Sequence, residues 1–315
     1  MKILFAAPEN AWAGFFHKIS RKFPEHIFEA SGRFEIGTLE GFDVLIPTMS
    51  PVTRAVLQSA DRLRLIQQCG AGLEGVDLEA ARERKIPVAN VPTDISGNAD
   101  SVAELGIYML IGLSRDFRGM ARSHRDRKVG EPMGRALKGK TVGIVGLGGI
   151  GKALVQRLRA FGVRLIGIKR RDPEKAREEL GLEWAGGPDD LPDLLARSDY
   201  VVLALPLTPQ NREMIDGEAF SRMKQGACIV NLSRGGLIQR EALIDALTSE
   251  KIAGAGLDVF WEEPPDPDDI LFRYNVLATP HIAGSTDISV RGIVDTVAEN
   301  IRRTERGERP LYVKN

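Results

Sequence analysis

An arginine, a glutamate and a histidine each stand in a short loop context directly after an apolar run in the second half of the chain. Leu232-Ser233-Arg234-Gly235-Gly236 follows Ala227–Asn231, and Val259-Phe260-Trp261-Glu262-Glu263-Pro264 follows Ala253–Asp258. Thr279-Pro280-His281-Ile282-Ala283-Gly284 follows Val276–Ala278. A guanidinium is a planar fork that can clamp a carboxylate and an adjacent carbonyl oxygen. An imidazole titrates near pH 6.5 and can give or take a hydroxyl proton. A carboxylate touching that imidazole orients it and favours its protonated form. The combination suits reduction of a 2-keto acid. Taken singly, each residue has a plainer reading: a surface arginine, a loop glutamate, a structural histidine. The other histidines, His17, His26 and His124, lie in polar or mixed helical settings with no partner pattern. Gly235 and Gly236 after the arginine suggest close approach of a ligand.

A second constellation lies upstream. The apolar run Thr141–Val145 leads into Gly146-Leu147-Gly148-Gly149-Ile150-Gly151, and helical spacing of Ala153, Leu154, Leu158 and Phe161 follows over Lys152–Phe161. In a strand–turn–helix context Gly146 permits the turn, Gly148 lets the backbone approach a pyrophosphate, and Gly151 lets the helix pack on the strand. The helix N-terminus then holds the anion. A further strand, Val163–Ile168, completes the dinucleotide-binding pattern. Where an NAD site places an acid on the ribose 2′-hydroxyl, the chain reads Lys169-Arg170-Arg171. Three cations suit a 2′-phosphate, so NADP(H) is the expected cofactor and NAD(H) the alternative. Asp172 precedes Pro173 and lies too far along, at the start of the next helix (Pro173–Leu180).

These residues need strands that end on one edge. Alternating strands and helices argue α/β architecture with parallel sheets. Strands are expected at Lys2–Ala6, Val44–Ile46, Leu65–Gln68 and Pro87–Asn90, with helices such as Thr53–Ser59 between them, then a long connecting helix over Ala99–Leu113. A second series runs Thr141–Val145, Val163–Ile168, Tyr200–Leu205, Ala227–Asn231, Ala253–Asp258 and Val276–Ala278, before a last helix at Ile288–Arg303. Ligands bind beyond the carboxyl ends of such strands, which puts Arg234, Glu263 and His281 on the edge of the glycine loop.

Composition narrows the field. At 315 residues the chain holds one large domain or two ordinary ones. Lys plus Arg and Asp plus Glu both number 43, so no bulk field draws it to nucleic acid or membrane. The basic run Arg122–Lys128 lacks aromatic interleaving and reads as a solvated helix end. Cys69 and Cys228 sit in apolar strands without metal-ligand spacing, and no metal is expected. No apolar run approaches membrane-spanning length and no signal peptide is evident, so a cytoplasmic protein is expected.

Over nearly its whole length the chain resembles the D-2-hydroxyacid dehydrogenase family. The resemblance is carried by Leu137-Lys138-Gly139-Lys140-Thr141 before the glycine loop, Leu205-Pro206-Leu207-Thr208-Pro209, Asn231–Gly236, Gly256-Leu257-Asp258-Val259-Phe260, Glu263-Pro264 and Thr279–Gly284. It implies two Rossmann-like parallel-sheet domains separated by a cleft, a substrate domain from 1–98 plus 288–315, a dinucleotide domain from 99–287, and a homodimer. It implies Arg234, Glu263 and His281 as the catalytic set, and the amides of Gly70, Ala71 and Gly72 as holders of the substrate carboxylate. Around the cofactor it implies Ser101, Gly149, Ile150, Pro206, Asn211, Leu232, Ser233 and Gly284, with Asp258 accepting from the nicotinamide carboxamide. The chain resembles the NADP-linked glyoxylate and hydroxypyruvate reductase type, and the side-chain pocket is expected around Ala7–Gly14, Thr48–Pro51 and Leu73–Gly75. Trp12 and Trp261 either wall that pocket or pack ordinarily. Lys169 departs from the family's usual acid. The tryptophan that many members carry before Leu-Lys-Gly-Lys is absent from Gly130–Gly134, with no functional account of the change. Two rival readings share the fold. One is a nucleotide-sensing binding protein of the corepressor type, and the other a phosphite or formate dehydrogenase, although formate enzymes place glutamine where Pro280 stands.

Overall fold

Every strand pairs in parallel with its neighbours, as the alternation of strands and helices requires. The computed structural model describes all 315 residues, which form two units: 1–98 with 285–315, and 99–284.

The first unit holds β1 (Lys2–Phe5), β2 (Ile27–Ala30), β3 (Val44–Ile46), β4 (Leu65–Gln67) and β5 (Val88–Ala89), in the order β2-β1-β3-β4-β5. Its central strands are apolar on both faces because helices cover both. Ile3, Phe5, Val44 and Leu65 face Val294, Val297, Ala298 and Ile301 of the helix Asp287–Glu305, while Leu4, Leu45 and Ile66 face Leu57, Ala80 and Ala81. Chain 285–315 thus completes the sheet begun at residue 2. Val313 bridges to Ala89, and the Asn315 side chain accepts from the Val88 amide and donates to the Ile86 carbonyl, both at 2.8 Å.

The second unit holds β6 (Thr141–Val145), β7 (Arg164–Ile168), β8 (Trp184–Gly186), β9 (Tyr200–Leu203), β10 (Ala227–Asn231), β11 (Ile252–Leu257) and β12 (Val276–Ala278). Their order, β12-β11-β10-β9-β6-β7-β8, is the dinucleotide-binding order 3-2-1-4-5-6 with a seventh strand outside. The order reverses between β6 and β9, where the glycine loop emerges. The helix Asn98–Ser114 buries Ala103, Met109, Leu110 and Leu113 on this sheet.

Sequence and structure differ at the margins. β2 and β8 were not expected, and both are edge strands. Ile27–Ala30 alternates exposed and half-buried residues, and Trp184–Gly186 is only 3 residues long, so neither shows the apolar run of a central strand. Cys69 lies in the loop after β4, not within a strand; Cys228 lies in β10, its thiol pushed up by burial to about 11. The return to the first unit falls at 284/285, ahead of the last helix. No helix is long and apolar enough to cross a membrane.

Candidate active site

The turn after β6 explains its glycines one at a time. Gly146 has φ +104°, and a Cβ there would lie 2.4 Å from the Ala204 carbonyl oxygen. A Cβ on Gly151 would lie 2.1 Å from the Gly146 oxygen, so the helix Gly149–Leu158 sits directly on the turn. Gly148 differs: the space around its missing Cβ is open, and no neighbour within the protein requires glycine. It caps the helix with no side-chain bond, leaving the first-turn amides of Gly149 and Ile150 to meet an anion. These residues fit a dinucleotide pyrophosphate.

Beyond β7, Lys169 is half-buried, Arg170 and Arg171 are exposed, and none of the three is ion-paired within the protein. Asp172, at φ +50°, caps the helix Pro173–Glu179. Other expected cofactor positions are engaged locally. The Asn211 amide donates to the Pro206 carbonyl at 2.8 Å and its oxygen accepts from the Thr208 amide at 2.6 Å, which fixes the loop after β9. Ser233 donates to the Leu203 carbonyl at 3.3 Å, and Leu232 is buried against the helix at Gly106. Ser101 is buried in the first turn of that helix, and Gly284 is half-buried after β12.

Arg234, Glu263 and His281 follow β10, β11 and β12 at one edge. His281 Nδ1 lies 2.6 Å from Glu263 Oε2, and the Phe260 amide donates to Glu263 Oε1 at 2.9 Å. Burial pushes the Glu263 carboxyl up. The hydrogen bond and charge of His281, the Phe260 amide and the Arg234 charge outweigh burial and hold it below the usual range. His281 has φ +54°, a left-handed backbone uncommon outside glycine. Asp258 holds that turn in place. Its carboxylate accepts from the Thr279 hydroxyl at 2.6 Å and from the Ile282 and Ala283 amides at 2.9 and 3.0 Å, while its carbonyl accepts from the His281 amide at 2.9 Å. Burial raises the Asp258 carboxyl against these donors. The bracing by Asp258 had no signal in the sequence beyond an acid at a strand end.

The Arg234 loop is locked to the Glu263 loop. A Cβ on Gly235 would sit 2.2 Å from the Phe260 carbonyl, so this glycine serves contact between two protein backbones. A Cβ on Gly236 would meet only side chains, Leu207 at 3.1 Å and Arg212 Nη1 at 3.6 Å. The expectation that this pair makes room for a ligand is corrected for Gly235. The Trp261 indole donates to the Ile238 carbonyl at 2.6 Å, and Arg240 grips both Asp269 oxygens at 3.0 and 2.9 Å. Trp261 therefore packs as a strut between these loops. Neither contact was foreseen, since each joins residues about 23 or 29 positions apart.

In the first unit, Gly70-Ala71-Gly72 follows β4. The Gly70 and Ala71 carbonyls accept from Val91 at 3.1 Å and from the Asn90 side chain at 2.7 Å. The three amides donate to no protein acceptor.

A sequence model of the family described as D-isomer specific 2-hydroxyacid dehydrogenase, NAD binding domain, matches residues 107–283. The chain is 38% identical over 304 residues to a D-3-phosphoglycerate dehydrogenase of Methanocaldococcus jannaschii, covering 92% of this chain and 56% of that protein. It is 37% identical over 273 residues to a glyoxylate reductase of Thermococcus litoralis, covering 84% of this chain and 80% of that one. The solved apo-structure of D-lactate dehydrogenase from Escherichia coli aligns over the whole of both chains with a TM-score of 0.81 at 30% identity.

Proposed function

The chain belongs to the D-isomer specific 2-hydroxyacid dehydrogenase family, and from that premise we propose that it moves hydride between NADP(H) and the 2-carbon of a small 2-keto or 2-hydroxy acid, as the D-isomer. Glyoxylate and hydroxypyruvate are its first candidate substrates. The observation that carries this reading is the 2.6 Å contact of His281 with Glu263 on the sheet edge that also bears Arg234 and the glycine turn.

A bound dinucleotide would supply the hydride. Gly146–Gly151 and the helix N-terminus would hold its pyrophosphate, and Lys169, Arg170 and Arg171 would take a 2′-phosphate. Arg234 binds the substrate carboxylate and stabilises charge developing on the adjacent oxygen. In the first unit by itself, the Gly70–Gly72 amides would offer donors to a carboxylate. His281 delivers a proton through Nε2, the nitrogen that Glu263 does not touch, while Glu263 fixes the ring's tautomer and supports its charge. Asp258 and Trp261 keep the loops of His281 and Glu263 in register. The same reading makes the protein a cytoplasmic homodimer. In support, Tyr108 and Ile111 on the helix Asn98–Ser114, and Phe117 and Met120 on the next helix, Phe117–Arg125, are exposed, and Val129 and Met133 are 96% and 95% exposed.

Initial rates of NADPH and NADH oxidation with glyoxylate and hydroxypyruvate test the reading. NADPH turnover is expected to predominate, and Arg170→Asp to weaken NADPH binding at least about tenfold more than NADH binding, the loss of a charge-assisted contact. Equal loss for both cofactors removes the 2′-phosphate assignment. No turnover with either acid removes the reaction.

A further inference from the structure

We propose that Asn90 is a positioning residue that aims the Ala71 and Gly72 amides, and that residues 311–315 act through it to set how tightly a substrate carboxylate is held. This rests on the reading above and extends it to residues outside the catalytic set.

Two peptide groups in the loop after β4 are held by their carbonyl ends. The Val91 amide donates to the Gly70 carbonyl at 3.1 Å, and Asn90 Nδ2 donates to the Ala71 carbonyl at 2.7 Å. Both peptides are trans, so in each plane the N–H points opposite to the C=O. Fixing the Gly70 and Ala71 oxygens on residues 90–91 therefore turns the Ala71 and Gly72 N–H groups away from those residues. Rotation of either plane would swing its donor off a bound anion.

Stability does not explain Asn90. The residue is 7% exposed, and its Oδ1 is buried with no protein donor. A buried acceptor left unpaired lowers stability by more than an ordinary hydrogen bond returns. A purely structural position would be better filled by an apolar side chain. The one bond this side chain makes goes to the loop.

Asn90 is in turn held from behind. β5 is the edge of its sheet, and residues 311–315 run antiparallel along it. Val313 bridges Ala89, the Lys314 amide donates to the Val88 carbonyl at 2.9 Å, and the Asn90 amide donates to the Tyr312 carbonyl at 3.4 Å. Asn300, wholly buried in the last helix, moors this segment. Its side chain accepts from the Leu311 amide at 2.7 Å and donates to the Leu311 carbonyl at 3.1 Å and to Gln67 Oε1 at 2.6 Å. Gln67, also wholly buried, donates to the Gln68 carbonyl at 2.9 Å. The bonds close a ring from the end of β4 through the last helix and residues 311–315 to β5, and back to the loop at Ala71. Breaking one link leaves a buried partner unpaired, so the links support one another.

The test uses the full chain with NADPH and reads KM for glyoxylate, kcat, NADPH affinity by fluorescence titration, and Tm. Asn90→Ala should raise KM for glyoxylate about tenfold, the worth of one hydrogen bond to a charged group. Its kcat at saturating acid and its NADPH affinity should change little. Removal of residues 311–315 should move KM in the same direction, and it keeps the test open if Asn90→Ala fails to fold. The two changes combined should raise KM no further than the larger alone, since both act through one residue. Additive rises overturn the route through Asn90. KM unmoved in both variants overturns the proposal, while glyoxylate turnover leaves the parent reading intact. Parallel loss of Tm, kcat and NADPH affinity, the mark of general unfolding, also overturns it. Absence of turnover with every 2-keto acid in the wild type overturns both.

Discussion

In the proposed reaction His281 and Glu263, 2.6 Å apart, divide one proton-transfer task between them. His281→Gln should lower kcat by about 10²–10⁴-fold, the usual worth of a positioned acid–base group. Dinucleotide affinity, read by fluorescence titration, should change little. A variant retaining full turnover would remove His281 from the reaction. Glu263 also has a signature in stability. Its folded carboxyl titrates below the ordinary value of about 4.3. Its contribution is then present above the ordinary value and lost as pH falls through the lower folded one. The gap in urea unfolding between the wild type and Glu263→Gln should shrink as pH falls below ~5; a gap that widens in acid contradicts the assignment. The three side chains were legible because a reactive residue at a strand end is a pattern of the sequence itself. The roles of Asp258 and Gly235 were not. They depend on which backbone passes over them, and the Phe260 carbonyl lies 25 positions from Gly235 in the chain.

Among the elements, the glycine turn makes the sharpest distinction. Gly151→Ala must displace the Gly146 carbonyl and should cost about 1–3 kcal/mol, seen as a lowered Tm. Gly148→Ala meets open space and an extended backbone at φ −83°, so its Tm should hold while NADPH affinity falls. If both variants lose stability alike, Gly148 serves the fold and its assignment to a ligand fails. Central strands such as Thr141–Val145 and Ala227–Asn231 announced themselves because burial on both faces demands an unbroken apolar run. β2 and β8 hid because an edge strand is half solvated and needs no such run. The folding-back of residues 313–315 onto β5 hid for a related reason: one bridge and one asparagine leave almost no pattern in the chain.

For the whole molecule, equal numbers of acidic and basic residues leave association to apolar surface. Light scattering is expected to give twice the chain mass of 34.5 kDa, and Phe117→Asp with Met120→Asp should shift the protein toward the single chain. A single-chain mass for the wild type at micromolar concentration excludes the dimer. The chain's path from the first unit to the second and back sets an order of events during synthesis. Residues 99–284 leave the ribosome together and hold everything their sheet requires. Residues 1–98 emerge earlier but wait, because Val294, Val297, Ala298 and Ile301 must cover one face of their sheet and Val313 must reach Ala89. The unit begun first is finished last. Until then its apolar face stays open to chaperones, so a nascent chain halted with residues 1–284 outside the ribosome would display a folded second unit beside an unfinished first.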